Sequence, residues 1–576
     1  MKKKGMRRLR LIVAATAAAM LITTAGAFAC TGMYVGKDAS KEGTTTIARS
    51  EDQGGGAYNK MFKVQKRVTK AGRYYKDTAN GLKVALPKTT YKYTYVPDSS
   101  DANDGQYPAS CTNEYGLAVI GTVSTGVSEE YEKLDPTKDN ALREAILPGL
   151  VACQSKTALQ AVEVTGKLIT KYGSEEWNTL LYADQKEAWI IETYGGSTWC
   201  AYKLPADSVA VFGNQVMIQS WDPADKENFR ASDNLQETLD KVGAVKNEDG
   251  TYNVAKTVTG STRDEYSNMR TWEGHRILAP STEGISTYNN DEFYPLAYKP
   301  DQKVSVTDLM DLYRDRYEGT DYDMSKAENA SRRCIGVTRS SDIHITQVYS
   351  NLPKDSCDLQ WLCMGNAEHS VFIPAFSGIT DTLAAYKVDG SAYNAKSAWW
   401  QFKSIDTVAG YDREFLSQGV KDFWKAQETS QYASIQKKLK TVSSKYKKSK
   451  KTGRAYVTSL GKTMAQKQLN NVKVLYAPLE YVATNNHNDR ANNKRKTTFV
   501  KPVALINAAK AAGYKVKVSG RNITLTKDGV KWGLTNNSKG YFMDGEYEDD
   551  LDYPIYTVNK VVYAPSNFAD NLTKSE

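Results

Sequence analysis

At 576 residues, with 40% hydrophobic and 25% charged side chains, the chain has ordinary globular composition, which excludes a fibrous or wholly disordered protein and, by its length, predicts two or more domains. The formal charge of +10 sits mostly at one end: residues 1–29 hold six of the 76 basic side chains and none of the 66 acidic ones, leaving +4 for the remainder. That balance excludes a global nucleic-acid signature, so no nucleic-acid partner is expected.

Residues 2–10 form a cationic n-region, residues 11–22 an apolar h-region, and Ala27-Phe28-Ala29 an A-x-A cleavage site, so residues 1–29 read as a signal peptide. The apolar run is broken by Thr23, Thr24 and Gly26 and falls short of the roughly 20 residues a span requires. The expectation is a secreted or cell-surface bacterial protein with no stable membrane span after cleavage. Cutting after Ala29 makes Cys30 the first residue. A lipid-bearing Cys30 is the alternative, although Ala27 stands where lipoproteins usually carry Leu and Phe28 is bulky.

After the cut, residues 30–35 read as a strand, 36–43 as a polar turn and 44–49 as the antiparallel return. Pairing Val35 with Thr44 would set Cys30 opposite Arg49, with Asp52 just beyond. Residues 54–56 are a Gly loop, and the tyrosine-rich segment 91–95 alternates like a strand. Thr112-Asn113-Glu114-Tyr115-Gly116 reads as a turn initiated by Asn113, feeding the apolar strand 117–120. Helices are expected over 140–147 and over 156–172, the second capped by Ser155 and stopped by Gly173. Strands follow at 179–182, 188–193, 199–204 and 208–212, ending at Gly213-Asn214-Gln215, and a second set at 343–348, 359–364 and 371–376. Helices followed by consecutive strands indicate an α+β fold.

Residues 411–470 turn helical and lysine-rich, a solvated face by the simpler reading and a contact with anionic cell-wall polymer by the sharper one. Beyond about 472 come a polar loop over 485–496, a helix over 502–512 started by Pro502, and small strands at 515–518, 523–526 and 530–534: a compact appended α+β module.

Seven cysteines, Cys30, Cys111, Cys153, Cys200, Cys334, Cys357 and Cys363, allow six to pair in an exported protein and leave one over, which Cys30 could be. The four histidines have no metal-ligand spacing, so neither a metal nor another cofactor is expected. A first-residue cysteine brings its own base, because a free α-amine with a pKa of about 7.7 to 8.0 is partly neutral at physiological pH. Acyl transfer also asks for oxyanion donors and for groups that fix the amine, and Arg49, Asp52, Asn113 and Asn214 are of the right types.

These residues lie in motifs that resemble the dipeptidase A-like cysteine dipeptidases, N-terminal-nucleophile hydrolases related more distantly to penicillin V acylases and bile salt hydrolases. The motifs are Cys30-Thr31-Gly32-Met33, Ala48-Arg49-Ser50-Glu51-Asp52, Thr112-Asn113-Glu114-Tyr115-Gly116-Leu117, Gly213-Asn214-Gln215, and the segment from Leu359-Gln360-Trp361 through Asn366-Ala367-Glu368-His369-Ser370 to Ser377-Gly378-Ile379-Thr380-Asp381-Thr382. The resemblance implies a four-layer αββα sandwich over residues 30–470 and hydrolysis of a dipeptide or small peptide through an acyl-enzyme. It implies Cys30 as nucleophile and, through its amine, base; Arg49 and Asp52 holding thiol and amine; Asn113 and Asn214 lining the oxyanion site; and a later arginine, best matched by Arg270 and next by Arg276. His369 reads as a marker of sheet packing. A related N-acyl amide or cell-wall peptide hydrolase stays open, as does a non-catalytic lipoprotein. Residues 471–576 resemble the stalk-like N-terminal domain of copper amine oxidases, implying a surface or cell-wall contact and, lacking a His cluster, no copper.

Overall fold

The computed structural model describes residues 29–53, 59–102, 107–260, 263–491 and 496–574. The proposed signal peptide, apart from Ala29, and the expected Gly loop lie outside the described residues. Two antiparallel sheets carry the first part of the chain. Their strands are, in chain order, β1 (Ala29–Val35), β2 (Thr45–Asp52), β3 (Lys63–Gln65), β4 (Tyr93–Tyr95), β5 (Ser110–Asn113), β6 (Ala118–Ser124) and β7 (Asn178–Ala183). They continue with β8 (Ala188–Thr193), β9 (Trp199–Lys203), β10 (Val209–Phe212), β11 (Phe229–Ala231), β12 (Ser340–Val348), β13 (Asp358–Met364) and β14 (Phe372–Phe376). One sheet has the order β10-β1-β2-β12-β13-β14, the other β11-β9-β8-β7-β6-β5-β4-β3.

The first sheet therefore joins the chain's opening hairpin to strands some 300 residues later, those of the second set. β1 and β2 touch β6 of the facing sheet. Helices α1 (Leu147–Ala152) and α2 (Ala158–Tyr172) cover the far side of the eight-stranded sheet. α3 (Glu265–Leu278) packs on β10, while α4 (Ala398–Tyr411), α5 (Arg413–Lys448) and α6 (Lys450–Ala491) pack on β13 and β14. The result is the αββα layering expected of an α+β chain.

Side chains explain the layers. On β7, Leu181 and Ala183 join the core that contains Ile47 and Ala48 of β2, whereas Leu180 and Tyr182 join a second core with Leu150 of α1 and Val162 of α2. Successive strand residues point to opposite faces, so the apolar stretch of β7 serves both cores, whereas β2, equally buried, carries Arg49, Ser50, Glu51 and Asp52 in its second half. Each fully buried Leu or Ile contributes about 1.5–3 kcal/mol.

Local differences from the sequence reading have local causes. The helix expected over 140–147 starts instead at Leu147, where Pro148 fits the first turn, while Asn140 sits at φ 56° in a turn. α2 is capped by Thr157, whose hydroxyl accepts from the Gln160 N–H at 3.1 Å, and not by Ser155. α6 runs through residue 470 and on to Ala491, so the inferred domain boundary and most of the expected 485–496 loop fall inside a helix. The appended module keeps its own core of Leu505, Ile523, Leu525 and Phe568. In it Pro502 begins a short strand, Pro502–Ala504, and the helix α7 (Leu505–Ala511) follows; proline, lacking an N–H, suits a strand's first residue. All seven cysteines are free thiols and buried, so the six that an exported protein could pair are unpaired. Among the described residues no helix is long and apolar enough to cross a membrane.

Candidate active site

The β1–β2 hairpin builds the site. Its register pairs Cys30 with Glu51, Gly32 with Arg49, Ala29 with Asp52 and Val35 with Thr46. This corrects the expected Val35–Thr44 pairing: Thr44 stays in the turn, its N–H donating to the Ser40 hydroxyl at 3.4 Å. The difference is two residues, an even number, so every side chain keeps its face; a slip of one would have turned Arg49 away. Arg49 lies diagonal to Cys30, and its Nη2 donates to Cys30 Sγ at 2.9 Å.

Two neighbours fix that guanidinium. A Cβ on Gly121 of β6 would come within 3.0 Å of Arg49 Nη1 and 2.3 Å of the Ala109 carbonyl oxygen, so only glycine admits the arginine there. The Tyr107 ring centre lies 5.1 Å from the guanidinium carbon, a cation–π contact. Cys30 is fully buried, and burial pushes its thiol up to about 12 against the opposing pull of Arg49.

The backbone of Cys30 is held as firmly as its sulfur. Its N–H donates to Asn214 Oδ1 at 3.1 Å, and its carbonyl oxygen accepts from Arg270 Nη1 at 2.5 Å. Arg270 also donates to Thr31 Oγ1 at 3.0 Å and to Asn214 Oδ1 at 2.9 Å. It projects from α3, whose N-cap Asp264 accepts from Tyr266 N–H, and it reaches the cysteine across Gly213, where a Cβ would lie 2.8 Å from Arg270 Nη2. Burial, and then the charge of Arg333, lower the Arg270 guanidinium to about 9, still protonated at neutral pH. The runner-up, Arg276, is instead paired with Glu273 at 2.6 Å.

Asp52, opposite Ala29, turns to the other face from Glu51. It accepts from Ser50 Oγ at 3.0 Å and Ser340 Oγ at 2.5 Å, and it pairs with Arg333. Asn214 differs from the expected oxyanion donor: its Oδ1 faces the cysteine nitrogen and its Nδ2 donates to the Ser124 carbonyl at 2.9 Å.

Asn113 is a clear correction. Its Nδ2 donates to the Ala152 and Ser155 carbonyls at 2.9 and 2.8 Å, and its Oδ1 accepts from the Tyr115 and Leu117 N–H groups. None of these groups touches Cys30, and the turn reading of the segment holds. His369 bonds Asp406 at 2.8 Å and Ser417, tying the sheet to α4 and α5.

Several residues escaped the sequence reading. Glu51, on the same face as Cys30 and Arg49, accepts from Lys60 Nζ at 2.8 Å and lies 3.5 Å from Arg49 Nη1. Lys60 Nζ also lies 2.8 Å from Asp98 and 3.8 Å from Asp342, whose other oxygen is 2.9 Å from His344 Nδ1. All five side chains are buried. Burial drives the Glu51 carboxyl up while Lys60 pulls it down, and the net direction is up. For Lys60 burial is outweighed by Asp98, Glu51 and Asp342, which hold it above its ordinary value. Alternation along Ala48-Arg49-Ser50-Glu51-Asp52 was a usable signal for Glu51. Lys60, Asp98, Asp342 and Arg333 come from separate segments and gave none.

Such a site offers a thiol with a cation on its sulfur, an acceptor on its nitrogen and a cation on its carbonyl, the equipment of nucleophilic acyl chemistry. Among the described residues no group of three His, Cys, Asp or Glu side chains is placed to hold a metal ion. The chain is similar to a probable dipeptidase of Latilactobacillus sakei, 31% identical over 405 residues that cover 69% of this chain and 84% of the other. It is similar also to a probable dipeptidase B of Streptococcus pyogenes serotype M1, 29% identical over 78% of this chain and 93% of the other, and to dipeptidase A of Lactobacillus helveticus, 28% identical over 64% and 80%. A solved structure of a mutant conjugated bile acid hydrolase from Clostridium perfringens aligns at 11% identity over 64% of this chain and 98% of its own, with a TM-score of 0.31. Residues 29–426, which carry both sheets and every residue gathered around Cys30, match Peptidase family C69, and the chain belongs to that family of peptidases.

Proposed function

We propose that this C69 peptidase is an exported cysteine dipeptidase that acts through an acyl-enzyme on Cys30 once cleavage after Ala29 has freed its amine. The observation that carries the reading is the three-sided grip on Cys30: Arg49 on the sulfur, Asn214 on the nitrogen and Arg270 on the carbonyl. Cleavage would turn the N–H that now donates to Asn214 into an amine at the same place. Asp52, opposite Ala29, lies at the bond to be cut.

In the reaction the amine takes the thiol proton and the sulfur attacks the peptide carbonyl. The C–S bond forms, the C–N bond breaks, and the departing amine carries off the proton. Water, giving a proton to the Cys30 amine, then attacks the thioester and releases a carboxylic acid and the thiol. Arg49, 2.9 Å from the sulfur, offsets negative charge as it develops there. The names of the three relatives supply the substrate class. Location at the bacterial surface rests on the leader's sequence, and a cell-wall contact by the appended module rests on its resemblance alone.

N-terminal sequencing and intact mass of the exported protein test the reading. A free Cys30 with dipeptide turnover supports it, turnover of N-acyl amino acids alone moves it to an amide hydrolase, and a diacylglyceryl adduct overturns it.

A further inference from the structure

A cleft of about 700 Å³ opens beside α3, lined by Tyr266, Arg316, Ser331, Arg332, Arg333 and Arg339 among others. One wall residue, Tyr266, lies against Arg270, a partner of Cys30, and another, Arg333, lies against Asp52, which pairs with Ala29. The Tyr266 ring lies 5.2 Å from the Arg270 guanidinium, and Arg333 pairs with Asp52. The cleft thus reaches the end of the sheet where β1 begins and β2 ends.

Its charges are unevenly matched. Arg332 is paired with Glu265, Arg333 with Asp52, and Arg316 lies 4.0 Å from Glu368. Arg339 is different: its Nη2 donates to the neutral Tyr266 hydroxyl, its buried Nε has no partner, and among the described residues no carboxylate lies within ion-pair distance of it. A half-buried guanidinium without a counter-ion at a cleft wall is a ready anion site.

We propose that this cleft holds the free carboxylate of the dipeptide's leaving residue, with Arg339 as its principal partner. Distance supports the assignment. Ser340, next to Arg339, pairs with Asp52, and Asp52 pairs with Ala29. Two strand spacings of about 4.8 Å put Arg339 on the order of 10 Å from the chain at Cys30. An extended dipeptide spans about 7 Å, and an arginine side chain covers the remainder. Glu265 and Glu328 also line the cleft, so direction is set by the carboxylate: held at Arg339, it leaves the amine-bearing residue of the dipeptide to become the acyl group on Cys30. Carboxylate recognition would also limit the enzyme to short substrates, since in a longer peptide the carboxylate lies farther from the scissile bond.

The inference rests on the dipeptidase reading, and the test separates the two. kcat and KM are measured for a dipeptide and for its C-terminal amide with the processed enzyme and with Arg339→Gln. The expected result is that the processed enzyme prefers the free acid by at least tenfold in kcat/KM. In Arg339→Gln the KM for the acid rises at least tenfold with kcat within threefold, while the amide is cleaved as before. Equal turnover of acid and amide by the unaltered enzyme overturns the carboxylate site even if Arg339→Gln fails to fold. Equal losses on both substrates, or no loss, in a folded Arg339→Gln overturn it while leaving the dipeptidase reading intact. Absence of dipeptide turnover in the processed enzyme overturns both.

Discussion

Arg49 meets Cys30 on the diagonal of the hairpin: it pairs across the sheet with Gly32, yet its Nη2 lies 2.9 Å from the cysteine sulfur. The space beside Gly32 is taken by the Phe212 ring, which a Cβ there would meet at 2.4 Å, and Gly121 and Tyr107 hold the arginine from the facing layer. Only a planar fork meets the sulfur and Glu51 together. In Arg49→Lys a single ammonium must choose between them, so kcat/KM for a dipeptide falls by about 10²-fold. Steady-state kinetics check this, and a fall smaller than about threefold would remove Arg49 from the reaction.

The two asparagines expected at the oxyanion separate cleanly. Asn113→Ala strips two buried carbonyls and two N–H groups of their partners and costs about 2–4 kcal/mol of stability, with kcat per folded molecule unchanged. Asn214→Ala removes the acceptor from the Cys30 nitrogen and lowers kcat by an order of magnitude or more. Urea unfolding alongside active-site-normalised kinetics distinguishes them. Loss of kcat in Asn113→Ala with stability intact would reverse the assignment.

Lys60 pairs with Glu51, Asp98 and Asp342 together, while Arg49 reaches Glu51 from the other side. Lys60→Met leaves buried carboxylates without it and should destabilise by about 3–5 kcal/mol. The sign with pH follows from the direction of the shift. A carboxyl raised above its unfolded value contributes less as pH rises through its folded value, and losing Lys60 raises Glu51 further. The deficit therefore widens as pH rises past about 8, where Glu51 of the unaltered protein ionises, and denaturant melts on either side of that value will reveal it.

Reactivity of the thiol reports processing. In the chain that still carries Ala29, burial holds Cys30 near 12, so the thiolate fraction at pH 8 is on the order of 10⁻⁴. Alkylation of the Cys30 peptide by iodoacetamide, followed by mass spectrometry, should be slow below pH 10. In the processed enzyme kcat/KM should rise as the amine loses its proton, with an apparent pKa of about 7.7 to 8.0. Rapid alkylation of the unprocessed chain at pH 8 would show that the amine is not needed.

Cys30→Ser, finally, should reduce turnover by a factor on the order of 10³ or more, because a hydroxyl is a far weaker nucleophile than a thiol at this site. Export and folding should be retained, as secretion and melting assays would record. Unchanged turnover would reject the nucleophile.

The sequence by itself determined what is local or repeats with a short period. The apolar strands at 188–193 and 208–212, the apolar face of α2 and its stop at Gly173, and the hairpin that starts at Cys30 all follow from neighbouring residues. So does the even spacing that keeps Arg49 on the cysteine's face whatever the two-residue shift in register. Only the tertiary structure decided which distant groups converge there. Arg270 over Arg276, Asn214 on the nitrogen, Asn113 in a remote turn, and the Lys60 and Arg333 ion pairs depend on α3, β12 and separate loops packing onto one strand end. The physical reason is range: periodicity and caps act over a few residues, whereas a site joined across 184 and 240 residues is set by how whole layers bury their apolar faces.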